Sequence, residues 1–284
     1  MYRTKLCLGT NPQYEISIKE QIALFKQAGF DAFFTNWDKE TKSYRKLADE
    51  IGMIYQSVHA PFTNSAKMWK CDDESEAAVN ELLECVRDCA ESDVPIMVAH
   101  TYIGFEPSAG PNEVGIENFG RVIEEAKKMN VKIAFENTEG EAYLEALMKA
   151  FSECENVGFC WDTGHELCYN RGKDMLRLYG DRLIATHIND NLGVSDFDGD
   201  IFWTDDLHLL PFDGIHDWEN VVKRLNMCGY DDILTFELNK VSKPNRHEND
   251  KYTKMTIEEY IAECYVRACR VATLKGKGQK KYDE

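Results

Sequence analysis

A chain of 284 residues with 43% apolar side chains can bury one large core, and no Pro/Gly/Ser-rich linker divides it, so a single domain is expected. Thirty-three basic against fifty acidic side chains give a net charge of −17, which repels a phosphate backbone and argues against nucleic acid as a partner. The ten cysteines form no CxxC pair and follow no secretory signal, as expected of free thiols in a cytoplasmic protein, and no apolar run is long enough to span a membrane.

In chain order, short apolar runs alternate with longer segments of helical period. Lys5–Gly9 is the first expected strand, followed by the amphipathic stretch Ile18–Ala28. Ala32–Thr35 and Tyr55–Ala60 are the next strands, with a helix over Glu74–Glu91. Ile96–Thr101 leads into Gly115–Met129, and Lys132–Asn137 into Glu141–Glu153. Val157–Asp162 and Leu183–Asn189 follow as strands. The stretch Asn191–Asp205 is polar, Asp-rich and carries three aromatics, which predicts a loop that lines or covers a site. Trp218–Cys228, the strand Ile233–Leu238 and the helix Ile257–Leu274 complete the series. Apolar residues in the helical segments recur at three- and four-residue spacing, with Glu and Lys on the other face. Eight strands, each followed by helix or loop, predict the α/β class and a (β/α)8 TIM barrel over residues 1–274. The alternation alone would also suit a doubly wound sheet. The Lys-rich tail 275–284 is expected to be disordered.

The polar residues that end these strands carry the chemistry. His59 ends SVHAPF, His100 ends MVAHTY, and His187 ends IATHIND. Glu136, Asp162 and Glu237 close IAFENT, GFCWDT and LTFELN, while His165 and His208 lie just beyond strands in WDTGHE and DLHLLPFDG. The steps from His59 through His100, Glu136, Asp162 and His187 to Glu237 are 41, 36, 26, 25 and 50 residues. A barrel unit averages about 35 residues, so each step is near one unit, with the last lengthened by the loop after strand seven. A lone His or Glu at a strand end is ordinarily capped or solvated. A set at corresponding ends of parallel strands converges on one rim, where unpaired charges are costly and a divalent cation resolves them.

The ordered motifs SVHAPF, VAHTY, FENT, WDTGH, THINDN, DLHLLPFDG and FELN resemble those of the xylose-isomerase-like TIM-barrel superfamily, from Tyr55 to Asn239. That superfamily holds sugar isomerases and epimerases and the endonuclease IV enzymes. The resemblance implies a metal-dependent isomerase or epimerase of carbohydrate metabolism acting on a small polyhydroxylated substrate. One divalent metal would be held by Glu136, Asp162, His187 and Glu237. Three carboxylates and one imidazole form a fairly hard set, so Mn2+ is favoured, with Mg2+, Co2+ and Zn2+ as alternatives. Glu136 and Glu237 would serve as opposed bases, taking and returning a proton beside a metal-bound carbonyl through an enediolate. His59, His100, His165 and His208 would contact substrate, and Trp203 would stack on a sugar face. Barrels of this group form dimers or tetramers, so a homo-oligomer is among the expectations.

Two rivals stay open. Adding His59, His100, His165, Asp206 and His208 to the four ligands reproduces the zinc set of endonuclease IV, whose substrate would be abasic DNA. A metal-dependent lyase acting on modified sugars or glycosides could use the same proton abstraction. No Arg occurs in His187–Asp196, which removes one phosphate anchor and favours a free sugar, inositol derivative or sugar acid. Arg171 and Lys173 are the nearest alternative cations.

Overall fold

The computed structural model describes residues 4–105, 109–196 and 200–279. Eight parallel strands wind in chain order: β1 (Leu6–Gly9), β2 (Ala32–Asn36), β3 (Ile54–His59), β4 (Ile96–His100), β5 (Lys132–Glu136), β6 (Val157–Asp162), β7 (Leu183–His187) and β8 (Leu234–Phe236). Their order in the sheet is β7-β6-β5-β4-β3-β2-β1-β8. The circle closes just past the end of β7, where Ile188 bridges Phe236, the Ile188 amide donates to Thr235 O at 2.7 Å, and the Glu237 amide donates to Ile188 O at 3.3 Å. This is the single-domain TIM barrel expected from the alternation.

The outer layer is built by α1 (Ile18–Ala28), α2 (Thr41–Ile51), α3 (Asp73–Glu91), α4 (Glu113–Lys128), α5 (Glu141–Ala150), α6 (Thr163–Cys168), α7 (Met175–Tyr179), α8 (Trp218–Met227) and α9 (Ile257–Gln279). Side-chain caps start most of them. Ser17 and Glu20 form a capping box on α1, and Asp72, Asn112 and Asp217 cap α3, α4 and α8, each satisfying amides that the first turn leaves free. Their apolar faces and the outward side chains of the strands form one large core. Inside the barrel lie two smaller clusters, Cys7, Ala32, Phe34 and Ile233 on one side, and Ile96, Val98, Ala134, Cys160 and Ala185 on the other. Small residues fit there because eight strands leave room only for a filled interior.

Strand register already prepares the site. His100 pairs with Glu136, and Asp162 with His187, so neighbouring strands end level with chemically matched residues. Gly9 ends β1 directly beneath Phe34, and a Cβ there would lie 2.4 Å from the Phe34 ring. Phe34 in turn stacks on His187, centroids 4.8 Å apart and planes 15° off parallel. Gly9→Ala is expected to cost about 1–3 kcal/mol by overpacking a closed interior. Denaturant unfolding checks this, and a midpoint equal to wild type would show that the Phe34 ring yields freely.

One boundary differs from the sequence reading. Helix α9 continues through Gln279 rather than ending at Leu274. Lys275 is buried along its stem and its ammonium reaches Asp231 at 3.5 Å, while its carbonyl accepts from Asn226 Nδ2 at 3.1 Å. A lysine that reads as tail in sequence is here buried whole, its ammonium facing a carboxylate, in the last turns of a docked helix. Residues 280–284 lie outside the described residues, as do 106–108 and 197–199. Among the described residues, no helix is long and apolar enough to cross a membrane.

Candidate metal centre

The C-terminal mouth of the barrel gathers every histidine and carboxylate expected there. Three groups of donor atoms lie within 4.8 Å of one another: His59, Glu136 and His187; Glu136, Asp162, His187 and Glu237; and His165, Asp206 and His208. His100 joins the first, its Nε2 lying 3.3 Å from Glu136 Oε2.

Glu136 is the hub. Its Oε1 faces His187 Nδ1 at 2.9 Å and His165 Nδ1 at 3.6 Å, and its Oε2 faces His59 Nε2 at 3.2 Å. His187 Nδ1 also lies 3.1 Å from Glu237 Oε2, so one imidazole nitrogen sits between carboxylates from β5 and from the end of β8. Asp162 Oδ1 accepts the His165 amide at 2.7 Å and caps α6, and its Oδ2 accepts from Asn189 Nδ2 at 2.9 Å. Asp206 Oδ1 faces His208 Nε2 at 2.8 Å and His165 Nε2 at 3.3 Å.

The ring orientations are informative. His59 Nδ1 meets Ala60 O at 2.8 Å, His165 Nδ1 meets Asn137 O at 2.9 Å, and His208 Nδ1 meets Glu237 O at 3.2 Å. A carbonyl only accepts, so each Nδ1 carries the proton and each Nε2 is left with a lone pair when the ring is neutral. Each of those lone pairs is aimed at a carboxylate oxygen, another acceptor. Acceptors facing acceptors in a buried site need a proton or a cation between them, and an imidazole fixed through its other nitrogen is the usual arrangement of a metal ligand.

Charge balance points the same way. Burial raises the Glu136 carboxyl, but His187, His100 and His59 outweigh it and hold it well below the usual range. Glu237 likewise resists burial and falls to about 2 beside His187 and His208. Asp162 is pushed up to about 6 by burial, with His165 and His208 opposing and Glu136 and Glu237 adding to the rise. Burial lowers His208, yet Asp206 and Glu237 carry it up to about 9. The imidazoles thus hold Glu136, Glu237 and Asp206 ionised while burial raises Asp162, and this set of buried oxygen and nitrogen donors fits a divalent cation.

The two glutamates are unequal. The side chain of Glu136 is 1% exposed and ringed by imidazoles, whereas that of Glu237 is 27% exposed and opens toward the mouth. Trp203, expected to stack on a sugar, is 52% exposed on the loop after β7. Trp69 is instead buried, donating to Thr101 O at 2.8 Å against the backbone of Gly115, and Trp161 packs between barrel and helix. Lys173 is spent on Glu141 at the surface.

Sequence reasoning passed over the residues that hold these side chains in place. Asp190 is fully buried and accepts four N–H groups, from Asn191, Phe212, His216 and the Trp218 indole, at 2.9–3.1 Å. It thereby folds the loop that presents Asp206 and His208. Glu166 fixes α6, accepting from Trp161 Nε1 at 2.9 Å and the Met175 amide at 3.1 Å, and pairing with Arg224 at 2.8 Å. The one available signal was composition: a run such as HINDN is too polar for a buried stretch unless every group is paired. Arg224→Met should cost about 3–5 kcal/mol, because it leaves the buried Glu166 carboxylate uncompensated. A loss below 1 kcal/mol in chemical denaturation would contradict that role for the pair.

The protein y4fM of Sinorhizobium fredii is 28% identical over 301 residues, covering 90% of this chain and 93% of that one. The structure of L-ribulose 3-epimerase superposes with a TM-score of 0.71 at 14% identity, over 99% of this chain and 97% of that chain. The IolI protein, whose structure holds a zinc atom, gives 0.73 at 19% identity, over 96% and 98%. At such identities the structural likenesses establish the fold. Residues 22–259, which include all of the gathered histidines and carboxylates, match the xylose isomerase-like TIM barrel family, and the chain therefore belongs to that family.

Proposed function

We propose that this protein is a divalent-metal-dependent isomerase or epimerase of a small polyhydroxylated substrate, Mn2+ being the favoured ion. The observation that carries the reading is His187 Nδ1 lying 2.9 Å from Glu136 and 3.1 Å from Glu237, with Asp162 completing a four-donor set. Glu136, Asp162, His187 and Glu237 would hold the ion. When bound, the ion supplies electrophilic stabilisation of negative charge on substrate oxygen.

The chain's own residues do the remaining work. Glu237, the glutamate open to the mouth, takes the proton from the carbon beside the substrate carbonyl. Glu136 leaves the barrel three strands away, so it can approach the substrate from another side and return a proton there. Its imidazole ring keeps it ionised and oriented. His165, anchored by Asn137 O, presents Nε2 to the mouth as a contact for a substrate oxygen. Trp203 offers an exposed ring to an apolar sugar face. L-ribulose 3-epimerase, a structural neighbour, acts on a sugar by name, which supports the substrate class.

A second reading, a zinc phosphodiesterase of the endonuclease IV kind acting on abasic DNA, is favoured by one observation. His59, His165 and His208 each turn Nε2 toward a carboxylate, which gives the mouth enough nitrogen and oxygen atoms for more than one ion. The net charge of −17 opposes a duplex. Metal analysis of purified protein, with parallel assays of ketoses in D2O and of abasic-site DNA, separates the two. Sugar exchange without DNA cleavage supports the isomerase, and DNA cleavage without exchange overturns it.

A further inference from the structure

We propose that Lys243, beside Trp203 and Asp206, forms a subsite for an anionic group of the substrate, a phosphate ester or a carboxylate. The inference rests on the isomerase reading and deepens it by naming the substrate class. No Lys or Arg lies between His187 and Asp196 after β7, but the loop after β8 delivers a cation to the mouth.

The Lys243 ammonium lies 3.6 Å from Asp206 Oδ2, beyond hydrogen-bond distance, and 5.4 Å above the Trp203 ring. Among the described residues it donates no hydrogen bond, so its N–H donors are unspent. Its side chain is only 16% exposed, so little water reaches it in compensation. Asp206 is already engaged through its other oxygen by His165 and His208. The neighbouring cation, Arg246, is by contrast consumed by Asp205 at 3.2 Å and Glu248 at 3.8 Å.

The position is built. The Lys243 amide donates to Glu248 Oε1 at 2.9 Å, its carbonyl accepts the Arg246 amide at 2.9 Å, and Ser242 Oγ bonds Asp250 at 2.9 Å. A loop tied at consecutive residues holds a half-buried ammonium over the same carboxylate that faces two imidazoles. Asp206 offsets its charge at 3.6 Å, but at that distance the ammonium's N–H donors remain able to take the oxygens of a further anion. An ammonium is a point charge that serves phosphate and carboxylate alike. Trp203 beside it suits the carbon face of a sugar bearing such a group.

The test is anion binding independent of turnover. Metal-loaded wild type, Lys243→Gln and Lys243→Arg are titrated by calorimetry with inorganic phosphate and with acetate, at ionic strength held constant with KCl. Saturable binding in wild type, weakened about tenfold in Lys243→Gln and kept within about threefold in Lys243→Arg, is expected from a charge-assisted contact. D-Fructose 6-phosphate, 5-keto-D-gluconate and D-fructose as competing probes then assign phosphate or carboxylate as the preferred group. Equal anion affinity in wild type and Lys243→Gln, or none in wild type, overturns the subsite. Deuterium exchange by wild type on the same three sugars reports separately. Exchange without Lys243-dependent anion binding rejects only the subsite. Lys243-dependent binding without any exchange rejects the isomerase reading and leaves an anion site of another reaction.

Discussion

Glu237→Gln should lower deuterium wash-in at the carbon beside the substrate carbonyl by about 10²- to 10⁴-fold at saturating metal, the range general acid–base catalysis supplies. Glu237 is the partly exposed glutamate of the set, and its Oε2 touches His187 at 3.1 Å, so the change removes a base while sparing most of the packing. Glu136→Gln should behave differently. Glu136 accepts or faces His59, His100, His165 and His187, so its loss strands several imidazoles in a buried site and lowers stability as well as rate. Mass-spectrometric exchange and thermal melting, run side by side, separate the two effects. Unchanged exchange in Glu237→Gln would remove that residue from the proposed chemistry.

Stripping the divalent ion should lower the melting temperature. An ion present at about a hundred times its dissociation constant contributes about 2.7 kcal/mol, since it binds the folded chain and not the unfolded one. For a domain of this size that corresponds to roughly 5–10 °C. Structurally, removal leaves Asp162, Glu136 and Glu237 crowded together, with Asp162 already raised to about 6 by burial and by that crowding. A bound ion displaces the protons that Asp162 and His187 would otherwise keep, so apparent affinity weakens as pH falls through about 6 and strengthens as it rises. Melting curves with chelator, with Mn2+ restored, and at several pH values between 5.5 and 8 provide the measurement. Superimposable curves with and without ion would mean that the cluster is held by protonated histidines alone.

Much of this is legible in the chain itself. Val157–Asp162 and Ile18–Ala28 begin and end where the apolar pattern placed them. Periodicity reports burial, and burial on a barrel is set by the two faces of a strand and one stripe of a helix. The histidines and carboxylates of the rim were legible as a group because parallel strands all end on one rim, so corresponding positions must meet. What escaped is set by contacts between distant segments. Lys275 resembles tail until Asp231 and Asn226 are seen beside it. Lys243 resembles a surface loop until its loop folds back on Glu248 and Asp205 is claimed by Arg246.

By itself the sequence determined the α/β class, where along the chain its strands fall and the identity of the side chains that end them, since spacing along a repeating unit is a one-dimensional property. Only the tertiary structure decided that Glu136 is enclosed while Glu237 is open, that three imidazoles turn Nε2 toward carboxylates, and that Lys243 stands at the mouth. Those are matters of orientation and solvent access. They depend on backbone carbonyls, on buried anchors such as Asp190 and Glu166, and on loops that cross the rim, none of which leaves a periodic trace in the chain.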